Sequence, residues 1–269
     1  VALSYSGEVY NFKELRRELT QLGHVFTTQS DTEVVLKGYL QWGNGVCEKL
    51  NGMFGFAIWD ARHEVLLLVR DRLGVKPLYY YPTEQSVLFG SEPKAILAHS
   101  QVPSVLTTDS LREALGWTKT PGHGTWDGLK EVKPGTYVQF GRDGLREEAY
   151  WQLQARPHHD SLEKTIENVH ALLADTVKRQ MVSDVPLCSL LSGGLDSSAI
   201  AAIASRQPNA ERQLKTFAVD FEAHTDQFVP DVFRDESDAP YARKVAEKIG
   251  SKHTRVCPGI IFCTIQRLF

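Results

Sequence analysis

Residues 187–205, LCSLLSGGLDSSAIAAIAS, constrain the fold more than any other stretch of the chain. Residues 187–191 form an apolar run of the length of a buried strand. Ser192, Gly193 and Gly194 make a tight turn of small residues. From Leu195 onward Ala, Ile and Ser dominate, which suits a helix packed closely on a sheet. Strand, glycine turn and helix is the geometry that holds phosphate: N–H groups converge at the turn and the helix N-terminus adds positive potential. Glycine lets the backbone approach an anion that a Cβ would keep away. The spacing is not that of a Walker A loop, because no G-K-[ST] follows, and the GxGxxG of a dinucleotide fold is absent. An acid, Asp196, stands in the loop with hydroxyls at Ser192, Ser197 and Ser198. A carboxylate beside phosphates fits a divalent metal that bridges them. A plain helix cap would also use Asp and Ser here. Six polar or glycine residues out of the seven in SGGLDSS, directly after an apolar strand, favour the phosphate reading.

A chain of 269 residues predicts one large domain or two medium ones. Hydrophobic residues make up 42% of it, enough for a real core. No apolar run approaches the ~20 residues of a membrane span, and the opening VALSYSG has no signal-peptide character. The net charge of −3 argues against a nucleic-acid surface. Cys47, Cys188, Cys257 and Cys263 lack metal-ligand spacing and read as thiols in a reducing cytoplasm.

Val1, Leu3 and Tyr5 alternate, which predicts a strand that begins without a lead-in. Asn11 with Glu14 resembles a capping box before a helix carrying Phe12, Leu15, Leu19 and Leu22, closed by Gly23. Asp31 reads as the N-cap of a second helix with Val34, Val35, Tyr39 and Trp42 inward, closed by Gly43. Residues 53–60, 64–70, 78–81 and 86–90 are short runs separated by turn signals, as in antiparallel β layers. The triplet Arg70, Asp71, Arg72 reads as a structural ion pair. Residues 133–140 open another strand, and GRDG at 141–144 is a hairpin turn. Residues 152–160 are polar and read as a linker, where His158 and His159 are expected to be solvated. Leu162, Ile166, Val169, Leu173, Val177 and Met181 then follow helical spacing. After the central strand, loop and helix come a second buried strand at 214–221 and a helix at 238–249 with Ala242, Val245, Ala246 and Ile249 inward. Strands alternating with helices predict a parallel sheet. Residues 1–151 are therefore expected to form an α+β domain, and 161–269 an α/β domain.

SGGLDSS resembles the pyrophosphate-binding loop of the ATP pyrophosphatase superfamily, and in particular that of glutamine-hydrolysing asparagine synthetases. Upstream, SGEVYNFKELR at 6–16, SDTEVVLKGYLQWG at 30–43, LNGMFGFAIWD at 50–60, RDRLGVKPLYYY at 70–81 and FGSEPKAIL at 89–97 are similar to their class II glutamine amidotransferase domain. The resemblance implies an Ntn-hydrolase-like first domain without its first strands, and a truncated ATP-pyrophosphatase domain. It puts Ser6, Gly7 and Glu8 in a glutamine pocket. There Gly7 N–H would face the developing oxyanion and Asp31 would hold the substrate's α-ammonium. The family often has Asn where Ser6 stands, as a second oxyanion donor, and a Ser hydroxyl is shorter. It also implies that Leu190, Ser192, Gly193, Gly194, Asp196, Ser197, Ser198 and Val219 bind ATP, with Asp196 on Mg²⁺. Asp235 and Glu236 match an acidic pair before the next helix.

The implied reaction adenylates the side-chain carboxylate of aspartate, releases pyrophosphate, and lets ammonia from glutamine displace AMP. Family members use an N-terminal Cys as nucleophile. Residue 1 here is Val, so no catalytic nucleophile is assigned, and the sequence as given is expected to be an N-terminally and C-terminally incomplete piece that does not hydrolyse glutamine. The family pattern fades after His253. Two alternatives stay open: a relative that amidates another carboxylate or closes a β-lactam ring, and a non-catalytic binding product. The resemblance allows a homodimer.

Overall fold

Alternation along the first nine residues sets the register of the whole first sheet. In the computed structural model, which describes residues 1–207, 213–220 and 237–257, β1 (Ala2–Val9) turns Leu3, Tyr5 and Val9 toward one core. It pairs antiparallel with β2 (Gly52–Asp60), Ser6 opposite Gly55 and Gly7 opposite Phe54. Beyond β2 lie β3 (Val65–Arg70), then two strands from later in the chain; β4 (Tyr79–Pro82), β5 (Val87–Gly90) and β6 (Lys130–Glu131) form a separate antiparallel sheet in the order β5-β4-β6. The later two are β7 (Thr136–Gly141) and β8 (Gly144–Ala149), so the five-stranded order is β1-β2-β3-β7-β8. The β7–β8 turn joins Gly141 to Gly144 across Arg142 and Asp143, the hairpin that GRDG predicts.

One face of the five-stranded sheet is covered by α1 (Phe12–Gln21), α2 (Asp31–Trp42) and α3 (Val46–Lys49). Leu15, Leu19, Val34, Val35, Tyr39, Val46 and Cys47 meet Phe54, Phe56, Ile58, Leu67 and Val69 there. The other face packs Ala57, Leu68 and Val138 against Leu78, Tyr80 and Val132, which joins the second sheet to the first. The four short runs at 53–90 thus divide between two sheets. Two short helices, α4 (Pro93–Leu97) and α5 (Thr108–Gly116), complete this unit, which spans residues 1–157.

Several local expectations change. Asn11 precedes α1 but makes no side-chain cap bond; its amide donates to Lys49 O and its carbonyl accepts from Asn51 N, pinning the start of β2. Ser30, not Asp31, caps α2, accepting from Thr32 N at 3.1 Å. Its hydroxyl is one bond closer to the backbone than a carboxylate at the first helical position would be, and this releases Asp31 for other partners.

The second unit spans 158–269. It contains α6 (Leu162–Gln180), β9 (Cys188–Leu190), α7 (Leu195–Ala204), β10 (Lys215–Val219), α8 (Ala239–Ile249) and β11 (Lys252–Val256). The strands run parallel in the order β11-β10-β9. Leu191, Ala201, Ala242 and Ala246 are buried between sheet and helices, with Val245 and Ile249 packed against them. Small alanines let α7 and α8 approach closely. Two burial expectations fail. Among the described residues β9 lies at the edge of its sheet, with Cys188 and Leu190 exposed, and Leu191 after it is fully sealed. On α6, Val177 is buried while Leu162, Ile166 and Val169 are exposed, because only the C-terminal part of that helix meets other described elements. His158 bonds Thr165 Oγ1 at 2.7 Å ahead of α6.

Candidate functional site

Two sets of candidate residues lie in the two units, and each is built locally. In the first unit, β1 pairs with β2 on one side, so its N–H groups alternate between that ladder and the opposite edge. Val9 N–H is directed to that opposite edge and donates to Asp31 Oδ2 at 2.9 Å. Gly7 lies two residues earlier, so its N–H faces the same edge. Tyr5 Oη donates to the same Asp31 oxygen at 2.8 Å. Asp31 therefore sits against β1 beside Gly7, while the side chains of Ser6 and Glu8 are exposed on the other face of the strand. Gly7 has φ +147°, and a Cβ on it would lie 2.2 Å from Met53 O, so only glycine fits there. Burial, with the Asp31 charge next, pushes the Tyr5 phenol far above its ordinary value, so it stays a donor.

The loop that delivers Asp31 is clamped from two sides. Arg16 donates to Thr28 O at 2.7 Å and Ser30 O at 2.9 Å, with its guanidinium 4.4 Å from the Phe26 ring centroid. Glu33 accepts from Thr27 N at 3.0 Å and Thr28 N at 2.7 Å and from both hydroxyls. Those bonds hold its carboxyl down at about 2. Arg16 and Glu33 fall within the quoted segments 6–16 and 30–43 and Tyr5 just before the first, but the contacts of all three depend on the chain doubling back.

The charge triplet holds structure, but not as an ion pair among the three: among the described residues Arg70 alone of them has an ion-pair partner, Glu131, and Asp71 and Arg72 bond backbone groups. Arg70 pairs with buried Glu131 at 3.0 Å and donates to the carbonyls of Lys76, Val132 and Gly74. Asp71 accepts from four backbone amides. Arg72 donates to Leu50 O and Glu48 O.

Cys47 is sealed in the helix-side core, and burial pushes its thiol up to about 12, which removes it as a nucleophile near neutral pH. Cys188 and Cys257 are exposed. Iodoacetamide on the native protein is therefore expected to label Cys188 and Cys257 at least ~100-fold faster than Cys47, read by mass spectrometry. Comparable rates for all three would contradict the sealed position of Cys47.

In the second unit the SGGLDSS loop joins the end of β9 to α7, at the carboxyl edge of the parallel sheet. Gly194 is the residue before α7, with extended φ −68° and ψ 165°. The first amides of α7 have no intrahelical acceptors, as at any helix start, and they open toward the loop. Gly193 takes φ +90° and packs against the start of α8, where a Cβ would meet Ala242 N at 2.7 Å and Asp238 O at 2.9 Å. Ser192 Oγ and Ser197 Oγ are 3.0 Å apart, and Ser197 Oγ also donates to Gly194 O. Ser198 Oγ is buried without a protein partner. Asp196 is exposed in the first turn of α7. Leu190 and Val219 end the neighbouring strands β9 and β10 and are 71% and 63% exposed. Asp220, which follows Val219, lies 3.4 Å from Arg255. Asp235 and Glu236 lie outside the described residues.

The single carboxylate, Asp196, suits an Mg²⁺ ion that takes its other ligands from phosphate and water, and the three hydroxyls and the first amides of α7 are donors suited to the phosphate oxygens. Among the described residues no cluster of three or more His, Cys, Asp or Glu could hold a metal unaided. The orphaned Ser198 hydroxyl and the glycine-lined turn fit a phosphate group beside that ion. No described helix is long and apolar enough to cross a membrane.

A glutamine amidotransferase domain family matches residues 1–151, and an asparagine synthase family matches residues 168–257. Asparagine synthetase [glutamine-hydrolyzing] 3 of Bacillus subtilis is 44% identical over 93% of this chain and 41% of its own length. Asparagine synthetase [glutamine-hydrolyzing] 1 of the same organism is 37% identical over 81% of this chain and 34% of its own length. The amidase chyE of Penicillium rubens is 31% identical over 91% of this chain and 37% of its own length. The chain spans less than half the length of the curated relatives it matches. With an amidotransferase match over more than half of its residues and an asparagine synthase match following it, the chain belongs to the family of glutamine-hydrolysing asparagine synthetases.

Proposed function

We propose that this chain carries the ATP-binding loop and part of the glutamine-recognition surface of a C–N bond-forming ligase that makes asparagine from aspartate. The observation that carries the reading is the SGGLDSS turn, with one acid and free amides, at the carboxyl edge of a parallel sheet beside exposed Leu190 and Val219. Those two side chains would flank the adenine or ribose. Amides at Ser192, Gly193 and Gly194, with the hydroxyls of Ser197 and Ser198, would hold the β- and γ-phosphates. Asp196 would hold Mg²⁺, which neutralises charge developing on the leaving pyrophosphate. The carboxylate of aspartate attacks the α-phosphorus, pyrophosphate leaves, and ammonia then displaces AMP.

In the first unit Asp31 would pair with the α-ammonium of glutamine and Gly7 N–H would face the amide oxygen. The hydroxyl of Ser6 is exposed at the same turn of strand. Cys47, sealed in the core with its thiol pushed up by burial, is not the residue proposed for hydrolysis. On family likeness alone we propose a cytoplasmic setting and small-molecule substrates, with no nucleic-acid or membrane partner; the same likeness allows a homodimer.

The test is aspartate-dependent ATP–pyrophosphate exchange by the protein in its natural full length. Exchange that requires aspartate and falls at least ~100-fold in Asp196→Ala is the expected result. No exchange with aspartate overturns the reaction; unchanged exchange in Asp196→Ala overturns the metal role. The likeness to an amidase favours one second reading, a different acceptor carboxylate. Exchange supported by another carboxylate and not by aspartate would establish it.

A further inference from the structure

The geometry points to Tyr5 as a positioning residue that aims the Asp31 carboxylate at the α-ammonium of the ligand. The inference rests on the reading of Asp31 given above and names a residue that reading does not use. Asp31 Oδ2 is fully engaged: the Tyr5 hydroxyl donates at 2.8 Å and Val9 N–H at 2.9 Å. Oδ1 has only long contacts, 3.4 Å from Ser30 Oγ and 3.5 Å from Thr32 Oγ1. Ser30 Oγ accepts from Thr32 N in capping α2, and its own hydroxyl reaches Oδ1 only at 3.4 Å. One oxygen of the carboxylate is thus tied to β1 and the other is left able to accept from a strong donor such as an ammonium.

A carboxylate at the first position of a helix rotates freely about χ2 unless something holds it. The two donors on Oδ2 come from one strand and fix that torsion. Tyr5 is itself held, with its ring 6.2 Å from that of Phe56 and packed on the helix-side core. Replacing its hydroxyl by hydrogen keeps the ring and its packing and removes only the bond to Asp31. The consequence is specific: Tyr5 contributes to recognition of an amine on the ligand and to nothing else about the ligand.

The experiment compares L-glutamine with 4-carbamoylbutanoate, which lacks the α-ammonium, by calorimetric titration of the wild-type chain, Tyr5→Phe and Asp31→Asn. The wild type is expected to prefer glutamine. Tyr5→Phe is expected to weaken glutamine by about 10-fold and to leave 4-carbamoylbutanoate within ~2-fold. Asp31→Asn is expected to abolish the preference. Equal weakening of both ligands in Tyr5→Phe makes the residue merely structural and overturns the inference, as does no change in either. A wild type without the preference overturns the Asp31 reading and Tyr5 with it. A wild type with the preference and an unaffected Tyr5→Phe overturns Tyr5 alone. If Tyr5→Phe does not fold, 3-fluorotyrosine at position 5 serves instead. Its ¹⁹F signal is expected to move with glutamine and stay still with 4-carbamoylbutanoate, and the same response to both, or to neither, overturns the assignment.

Discussion

Asp71→Ala is expected to destabilise the first unit by about 4 kcal/mol, a large share of the stability of an ordinary domain. Asp71 is 1% exposed, and its carboxylate is fully occupied. Oδ1 accepts from Leu73 N at 3.2 Å and Val75 N at 2.9 Å, and Oδ2 from Phe54 N at 3.2 Å and Lys76 N at 2.9 Å. Truncation leaves four amides without an acceptor in a site too closed to admit water easily, each costing about 1–3 kcal/mol before relaxation. Partial rearrangement of the exposed loop recovers some of this. The same residue's backbone bonds Phe54 O and receives Gly74 N and Gly135 N, so the damage reaches β2 and the entry to β7. Asp71→Asn is expected to cost nearly as much, because its NH₂ would face amide donors. All five tryptophans lie in residues 1–157, so their fluorescence during urea unfolding reports this unit alone. A loss below ~1 kcal/mol for Asp71→Ala would mean that the loop finds other acceptors and that the network is dispensable.

That network shows where sequence reasoning stops. RDR reads as a charge triplet and is correctly structural, yet nothing in three adjacent charges says that the middle one gathers four amides. The information is in the path of residues 72–76, which fold back over it. Asn11 teaches the same point: its spacing to Glu14 is that of a capping box, but its partners are Lys49 and Asn51, far along the chain. Asp31 is legible by its motif, whereas Tyr5 is not, because alternation places it on a face without saying what that face meets. Periodicity gives the apolar side of α6 correctly and leaves open whether anything covers it, and Ile166 and Val169 are exposed. The loop at 192–198 is the opposite case. Its strand, turn and helix are contiguous, so nearly all of its geometry is local and was written in seven residues. What the sequence could not show there is the neighbour of Gly193, the start of α8.

Gly193→Ala and Gly194→Ala are expected to fail in different ways, and the contrast separates fold from ligand. At Gly193, φ is +90° and the new Cβ would sit 2.7 Å from Ala242 N, 2.8 Å from Tyr241 Cβ and 2.9 Å from Asp238 O. Two of these are backbone atoms of the α8 start, which cannot swing away as a side-chain tip could. The turn must leave α8 or the helix must shift, at a cost of about 3 kcal/mol once the unfavourable φ is included. Loss of amide protection in α7 and α8 is expected by hydrogen exchange, with tryptophan fluorescence unchanged and MgATP binding weakened at least ~100-fold. At Gly194 the backbone is ordinary for any residue, and the nearest atom to a new Cβ is Ser192 Oγ at 3.6 Å. The fold should accept Gly194→Ala within about 1 kcal/mol. If phosphates approach this turn, however, the methyl stands where they must come, and binding falls by about 10-fold or more with hydrogen exchange unaltered. A stable Gly194→Ala that binds MgATP like the wild type would remove the phosphates from this turn, whatever happens at Gly193.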